Sequence, residues 1–225
     1  MPETTDPGRS PDRVAELEQE NLRLRTEVER LREENRKWAR LAGTDNLTGL
    51  PNRVSFLRAI MPSEVRRALS EDKPISCLLM SADNLGDINQ KQGRTAGDQV
   101  IKGLAAYLRT VLSEDEKLGH IDGTNFAVVF QADIADATNR ARKLRTQIRS
   151  RPFECGEESV QITVSAGLCS VHRTEIRDPR ILTDLMFKRL NDVLYTAKKE
   201  GGNRVEVFPE TEVSAADGRS VEAKA

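Results

Sequence analysis

The chain has 225 residues, with 35 Lys or Arg against 36 Asp or Glu and a formal net charge of −1. That balance leaves no basic footprint of the kind nucleic-acid binding needs, and no apolar stretch approaches the length required to cross a bilayer. Cys77, Cys155 and Cys169 are odd in number, and two lie inside apolar runs, which fits reduced thiols in a cytoplasmic protein better than a disulfide framework. His120 and His172 have no second His or Cys at ligand spacing, so no metal site is expected from them.

Residues 1–12 are polar and proline-bearing, with no apolar core of a signal peptide, and they are expected to be a disordered tail. From Arg13 the sequence falls into heptads. Val14, Asn21, Val28, Asn35 and Ala42 occupy one core position, and Leu17, Leu24, Leu31 and Trp38 the other. Valine at the first position with leucine at the second favours a parallel pair, and buried asparagines fix register at some cost in stability. Flanking charges match across such a pair: Arg13 with Glu18, Glu20 with Arg25, Glu27 with Arg32. Residues 13–43 are therefore expected to be a dimerising coiled coil. The alternative is a single amphipathic helix lying on its own domain.

The remainder, 44–208, is expected to be one globular domain, followed by a disordered tail at 209–225. Leu50-Pro51-Asn52-Arg53 opens a helix carrying Val54, Leu57, Ile60 and Met61, with Pro51 suited to its first turn and Pro62 interrupting or kinking it. Ile75 to Ser81 reads as a buried strand, followed by a loop and a helix with Ala96, Val100, Ile101, Leu104, Leu108 and Val111 at helical spacing. Leu118–Ile121 and Phe126–Phe130 flank Asp122-Gly123, a hairpin turn. A helix from Ile134 to Ile148, a strand from Val160 to Val171, a helix from Leu182 to Ala197 and a strand from Arg204 to Phe208 complete the order. Mostly antiparallel strands alternating with helices that must cover a sheet make an α+β sandwich.

Several of these residues form a pattern. Asp45-Asn-Leu-Thr-Gly-Leu-Pro-Asn-Arg53 resembles the entry motif of GGDEF domains, the catalytic modules of diguanylate cyclases. Ile88-Asn89, Gly93 and Gly97-Asp98 resemble the segment after that family's first core strand. Val164-Ser165-Ala166-Gly167 and Leu194-Tyr-Thr-Ala-Lys-Lys-Glu-Gly-Gly-Asn-Arg-Val205 resemble its later strand and its closing helix-to-strand signature. The similarity spans about residues 44–208 in consistent order. It implies a nucleotidyl-cyclase or polymerase-palm sheet, often paired in this family through an upstream coiled coil.

The resemblance also implies a reaction, in which two GTP molecules held by two domains are joined into cyclic di-GMP, and the residues can be tested against it. Phosphoryl transfer of this kind needs divalent cations, normally held through carboxylates. The family's metal-binding aspartate at the end of the first strand falls on Ser81. Its five-residue signature falls on Asp122-Gly123-Thr124-Asn125-Phe126, which puts Thr124 at the second metal-binding acid and Asn125 at a further acid. The phosphate-contacting lysine falls on Gly86 and the arginine near the closing strand on Gly202, leaving Lys198 alone to meet phosphate. A triphosphate would then face Asp83, Asp87 and Asp122 without compensation. Asp83, two residues after Ser81, is a weak candidate as substitute metal ligand.

Asn89 and Asp98, which the family uses on the guanine base, are kept, and an amide with a carboxylate can read a purine edge. Equally, both could simply order the loop and cap the following helix. The family's product-inhibition motif falls on Ser113-Glu114-Asp115-Glu116, with no arginine to clamp phosphate. The resulting expectation is a catalytically inactive, cytoplasmic GGDEF-like protein of bacterial cyclic di-GMP signalling, with no catalytic residue, metal or cofactor. It would act as a homodimeric interaction module, with another signalling protein as partner and neither nucleic acid nor membrane. The alternatives are a GTP sensor built on Asn89, Asp98 and Lys198, an active cyclase with substitute ligands, and a heterodimer with an active cyclase.

Overall fold

The computed structural model describes residues 11–209, so most of both expected tails lies outside the described residues. The chain divides into two units, residues 1–43 and 44–225, each with its own set of contacts.

The first unit contains helix α1 (Pro11–Gly43), 33 residues in length and about 50 Å long at 1.5 Å rise per residue. It begins two residues before the expected boundary at Arg13. Leu17, Leu24, Val28 and Leu31 are all exposed, Leu24 at 57%. Asn21 turns its amide back to donate to the Leu17 carbonyl at 3.1 Å. Arg30 bridges Glu27 and Glu34 at 2.6 and 2.7 Å along the helix surface, the spacing at which helical side chains meet. The side chains of Val14, Asn35, Trp38 and Ala42 lie outside the described residues.

The second unit is built on strands β1 (Ile75–Ala82), β2 (Lys117–Asp122), β3 (Asn125–Phe130), β6 (Val164–Val171) and β7 (Val205–Val207). They lie in the order β2-β3-β1-β6-β7, antiparallel throughout except for the parallel β6–β7 pair. Strands β4 (Pro152–Cys155) and β5 (Glu158–Gln161) form a separate hairpin. Helices α2 (Arg53–Ser55), α3 (Met61–Glu71), α4 (Leu85–Gln92), α5 (Arg94–Val111), α6 (Ile134–Arg149) and α7 (Pro179–Lys199) pack around the sheet.

The central strands are apolar on both sides because both sheet faces are covered. Every residue of β1 and β6 is buried. Alternation sends Leu78, Met80, Phe126, Val128, Ala166 and Leu168 to one core, shared with α5 and α6. Cys77, Leu79, Ala127, Val129, Cys169 and Val171 go to the other, shared with α3 and α7. Helix α7 approaches β6 so closely that a Cβ on Gly167 would lie 2.6 Å from the Leu190 carbonyl oxygen, so only glycine fits there. All three cysteines are free and buried. Among the described residues, no helix is long and apolar enough to cross a membrane.

The structure corrects several local expectations. Pro51 lies before the first helix, in a bridge with Thr44, and Asn52 caps that helix by accepting from the Ser55 amide. Pro62 neither ends nor sharply breaks the helical run. The turn before it, Phe56–Ile60, widens to a π-helix, and Pro62 sits in the first turn of α3. A wider turn accommodates a residue with no amide hydrogen to give. The loop expected after β1 contains α4, and the strand expected from Val160 to Val171 is two strands that turn at Ile162-Thr163. The β4–β5 hairpin was not expected at all.

Candidate functional site

The β2–β3 hairpin places the two hydroxyl positions together. Asp122 pairs with Asn125 across the turn, Gly123 takes a positive φ of 41°, and Thr124 follows it. Strand β3 runs antiparallel to β1 with Ser81 opposite Asn125, and the Ala82 amide bonds to the Thr124 carbonyl at 3.2 Å. Ser81 Oγ and Thr124 Oγ1 are consequently hydrogen bonded at 2.7 Å, with Ser81 fully buried. Asn125 donates to Asp122 Oδ1, and Asp122 Oδ2 meets Arg53 at 3.4 Å. More than half of each partner in that pair is exposed, so it adds little stability.

Asp83, just past the end of β1, is held by three donors. Thr163 Oγ1 donates to Oδ2 at 2.7 Å, Ser165 Oγ to Oδ1 at 2.5 Å and the Asn203 amide to Oδ2 at 3.0 Å. Its own amide donates to the Thr163 carbonyl at 3.0 Å. Asp83 thus ties the start of β6 to the loop before β7. Gly202 in that loop has φ +71°, and a Cβ there would lie 3.3 Å from Asp83 Cγ and Ser165 Oγ. Gly86 opens onto free space.

The positions on α4 and α5 behave differently. Asn89 Oδ1 is buried and has no hydrogen-bond donor. It lies against Gly97, where a Cβ would fall 1.9 Å from it, so the small residue at 97 makes room for the Asn89 amide. Gly93 occupies the cap of α5 with no side-chain cap bond, so neither Asn89 nor Asp98 serves as its cap. Asp98 and Lys198 are exposed, and neither side chain forms a hydrogen bond or ion pair among the described residues. The structure joins Ser81 to Thr124 and Asp83 to the closing loop. It does not join Lys198 to any of them.

The diguanylate cyclase GGDEF-domain family model matches residues 42–204. The chain belongs to the GGDEF family. It is 30% identical over 197 residues to the diguanylate cyclase DgcP of Pseudomonas aeruginosa, covering 87% of this chain and 27% of the relative. It is 30% identical over 184 residues to a diguanylate cyclase of Vibrio cholerae, covering 81% of this chain and 54% of the relative. The chain thus spans about a quarter to a half of the length of these relatives. Its fold is similar to the coiled coil and GGDEF domain of DgcB from Caulobacter crescentus, solved in complex with c-di-GMP. The TM-score is 0.68 and the identity 27%, covering 85% of this chain and 98% of that one.

Around this GGDEF site lie partners that sequence reasoning did not find. His120 is buried, with Nδ1 2.8 Å from Asp45 Oδ1 and Nε2 3.1 Å from the Gly123 carbonyl oxygen. It also stacks on Phe126, with centroids 4.7 Å apart. Burial works to raise the Asp45 carboxyl, but hydrogen bonds from His120 and Thr48 outweigh it and hold Asp45 below the usual carboxylate range. The entry motif and the signature turn are thereby joined through one imidazole.

In the segment 113–116, Glu116 takes a two-pronged contact from Arg140, at 2.6 and 2.7 Å. Here too burial raises the carboxyl while the Arg140 guanidinium lowers it further, and the net shift is downward. No single segment of the sequence signals these contacts, because each joins residues far apart in the chain.

Proposed function

We propose that this chain is a catalytically inactive GGDEF domain that works as a dimeric interaction and regulatory module in cyclic di-GMP signalling. The observation that carries the reading is the bond between Ser81 and Thr124. At the two positions where the family's metal-binding carboxylates belong, two neutral hydroxyls satisfy each other at 2.7 Å. Mg²⁺ is bound through one or two carboxylates plus substrate phosphates, and this donor set does not fit it. Asp83, the nearest carboxylate candidate, has both oxygens engaged by Thr163, Ser165 and Asn203. A cation there would have to displace those donors. Pairing through α1 is supported by the exposed Leu17, Leu24, Val28 and Leu31 seam and by asparagines at the core positions of two heptads. The similar DgcB structure also includes a coiled coil.

One observation favours a second reading, a guanine-nucleotide sensor. A buried, unsatisfied acceptor is costly, and Asn89 Oδ1 is one. A purine edge would supply the missing donor, with Asp98 and Lys198 free to contribute. Calorimetric titration of the purified protein with GTP and Mg²⁺, followed by analysis of the same sample for cyclic di-GMP, separates the readings. A flat titration with no product is the expected result. Saturable heat without product selects the sensor, with binding then lost in Asn89→Ala and Asp98→Ala. Cyclic di-GMP in the sample would overturn the inactive assignment.

A further inference from the structure

A cleft of about 540 Å³ lies between one face of α5 and strand β4, outside the site described above. Ligand pockets commonly hold roughly 300–1,000 Å³ and combine an apolar lining with a few placed polar groups. Here the apolar part is Tyr107 and Phe153, set edge to face with centroids 6.4 Å apart. Gly103 and Ala106 lie between them and Lys102 on the same helix face. Gly103 is close enough to Phe153 that even a Cβ would stand 3.3 Å from its ring, so any side chain there would press on Phe153. The polar part is cationic. Arg151 lies over the Tyr107 ring at 4.8 Å, and Lys102 is exposed one turn before Ala106. Neither has a carboxylate partner among the described residues. Gln99 accepts from the Gly156 amide through Oε1, leaving its NH₂ group to donate. Glu154 is the one acid lining the cleft.

We propose that this cleft binds a planar ring carrying a single phosphate, of the nucleoside-monophosphate class. Arg151 is fixed by its stacking on Tyr107 and presents a preorganised guanidinium. With Lys102 it offers two donors of positive charge to a phosphate. The aromatic pair and the flat guanidinium offer stacking surface to a ring. Two cations against Glu154 leave a net charge of +1, which suits one phosphate rather than a chain of them. Neither Asn89 nor Asp98 lines the cleft, so adenosine monophosphate, which lacks the guanine edge, tests it apart from the guanine reading.

The experiment is a two-dimensional amide NMR titration of the full chain with adenosine monophosphate, adenosine and inorganic phosphate in parallel. Adenosine monophosphate is expected to shift the Gly103 and Tyr107 amides and to saturate below about 5 mM, with each fragment at least about tenfold weaker. Lys102→Ala and Ala106→Trp change exposed positions and leave both cores intact. Each is expected to weaken binding about tenfold or more, the first by removing charge and the second by filling the cleft. No saturation by about 5 mM, equal binding by either fragment, or indifference to both substitutions overturns the proposal.

Discussion

The strand-end half and the helix half of the GGDEF site have met the same problem differently. At the strand ends, Ser81 and Thr124 bond each other, and Asp83 is bonded by Thr163, Ser165 and Asn203. On α4, Asn89 Oδ1 stays buried without a donor, as Asn125 Oδ1 and Asn203 Oδ1 do beside the strand ends, but here Asp98 on α5 and Lys198 on α7 also stand free. A polar group that finds a partner within the chain contributes to the fold, whereas one left unsatisfied costs stability. The second kind is therefore the better marker of a place where a ligand would contribute something the chain lacks.

The comparison can be broken most forcefully at its closed half. Replacing both hydroxyls with acids, Ser81→Asp with Thr124→Glu, puts one carboxylate at a fully buried position and a second beside it at a half-buried one, where a neutral pair now stands. It should lower unfolding free energy by roughly 3–5 kcal/mol. Urea denaturation with and without Mg²⁺ measures both the loss and its partial recovery on neutralisation by the cation.

Asp83→Ala removes the acceptor of three hydrogen bonds and should cost about 2–4 kcal/mol. A loss near zero in metal-free buffer would mean that Asp83 is not a structural clamp, and would revive it as a candidate ligand.

A smaller effect concerns acid. The Asp45 carboxyl is held below its ordinary value, so the stability it contributes is present above about pH 4 and is lost as pH falls through the depressed value. Urea midpoints measured from pH 6 downward should fall less steeply in Asp45→Asn than in the unmodified chain. Glu116, where burial raises the carboxyl but Arg140 lowers it further, contributes to the slope that remains.

The least effect is expected in the open half. Asn89→Leu keeps the shape and removes an unpaired acceptor, so it should be neutral or stabilising, within about 1 kcal/mol. A loss of 2 kcal/mol or more would give Asn89 a purely structural role.

The order of the main elements was legible because β1, β3, β6, α5, α6 and α7 carry their apolar residues at strand or helix spacing. Helix α4 was not, since only Leu85 and Ile88 are buried among its eight residues. The β4–β5 hairpin escaped because its strands are four residues each, and only Phe153 and Cys155 are buried. The break between β5 and β6 was hidden because Val160 to Val164 holds β-branched residues at four of five positions and no Gly, Pro, Asn or Asp to mark a turn. What stops it is the Asp83 amide, which takes the Thr163 carbonyl from another part of the chain. In the site, residue identities were legible, because a serine cannot pass for an aspartate. Their partners were not, because hydroxyls, amides and the His120 ring are ordinary polar residues until the fold brings them within bonding distance.

Gly202 carries a consequence in time rather than in space. At φ +71° the backbone suits glycine, and any other residue there is strained by roughly 1–2 kcal/mol. Its Cβ would also press on Asp83 and Ser165 at 3.3 Å. In this loop, substitution towards glycine relieves the chain and substitution away from it loads the chain. Mutation at this position therefore runs more easily in one direction than in the other. A longer side chain could be accepted here only along with changes in its neighbours, so the fold acts as a ratchet at this position.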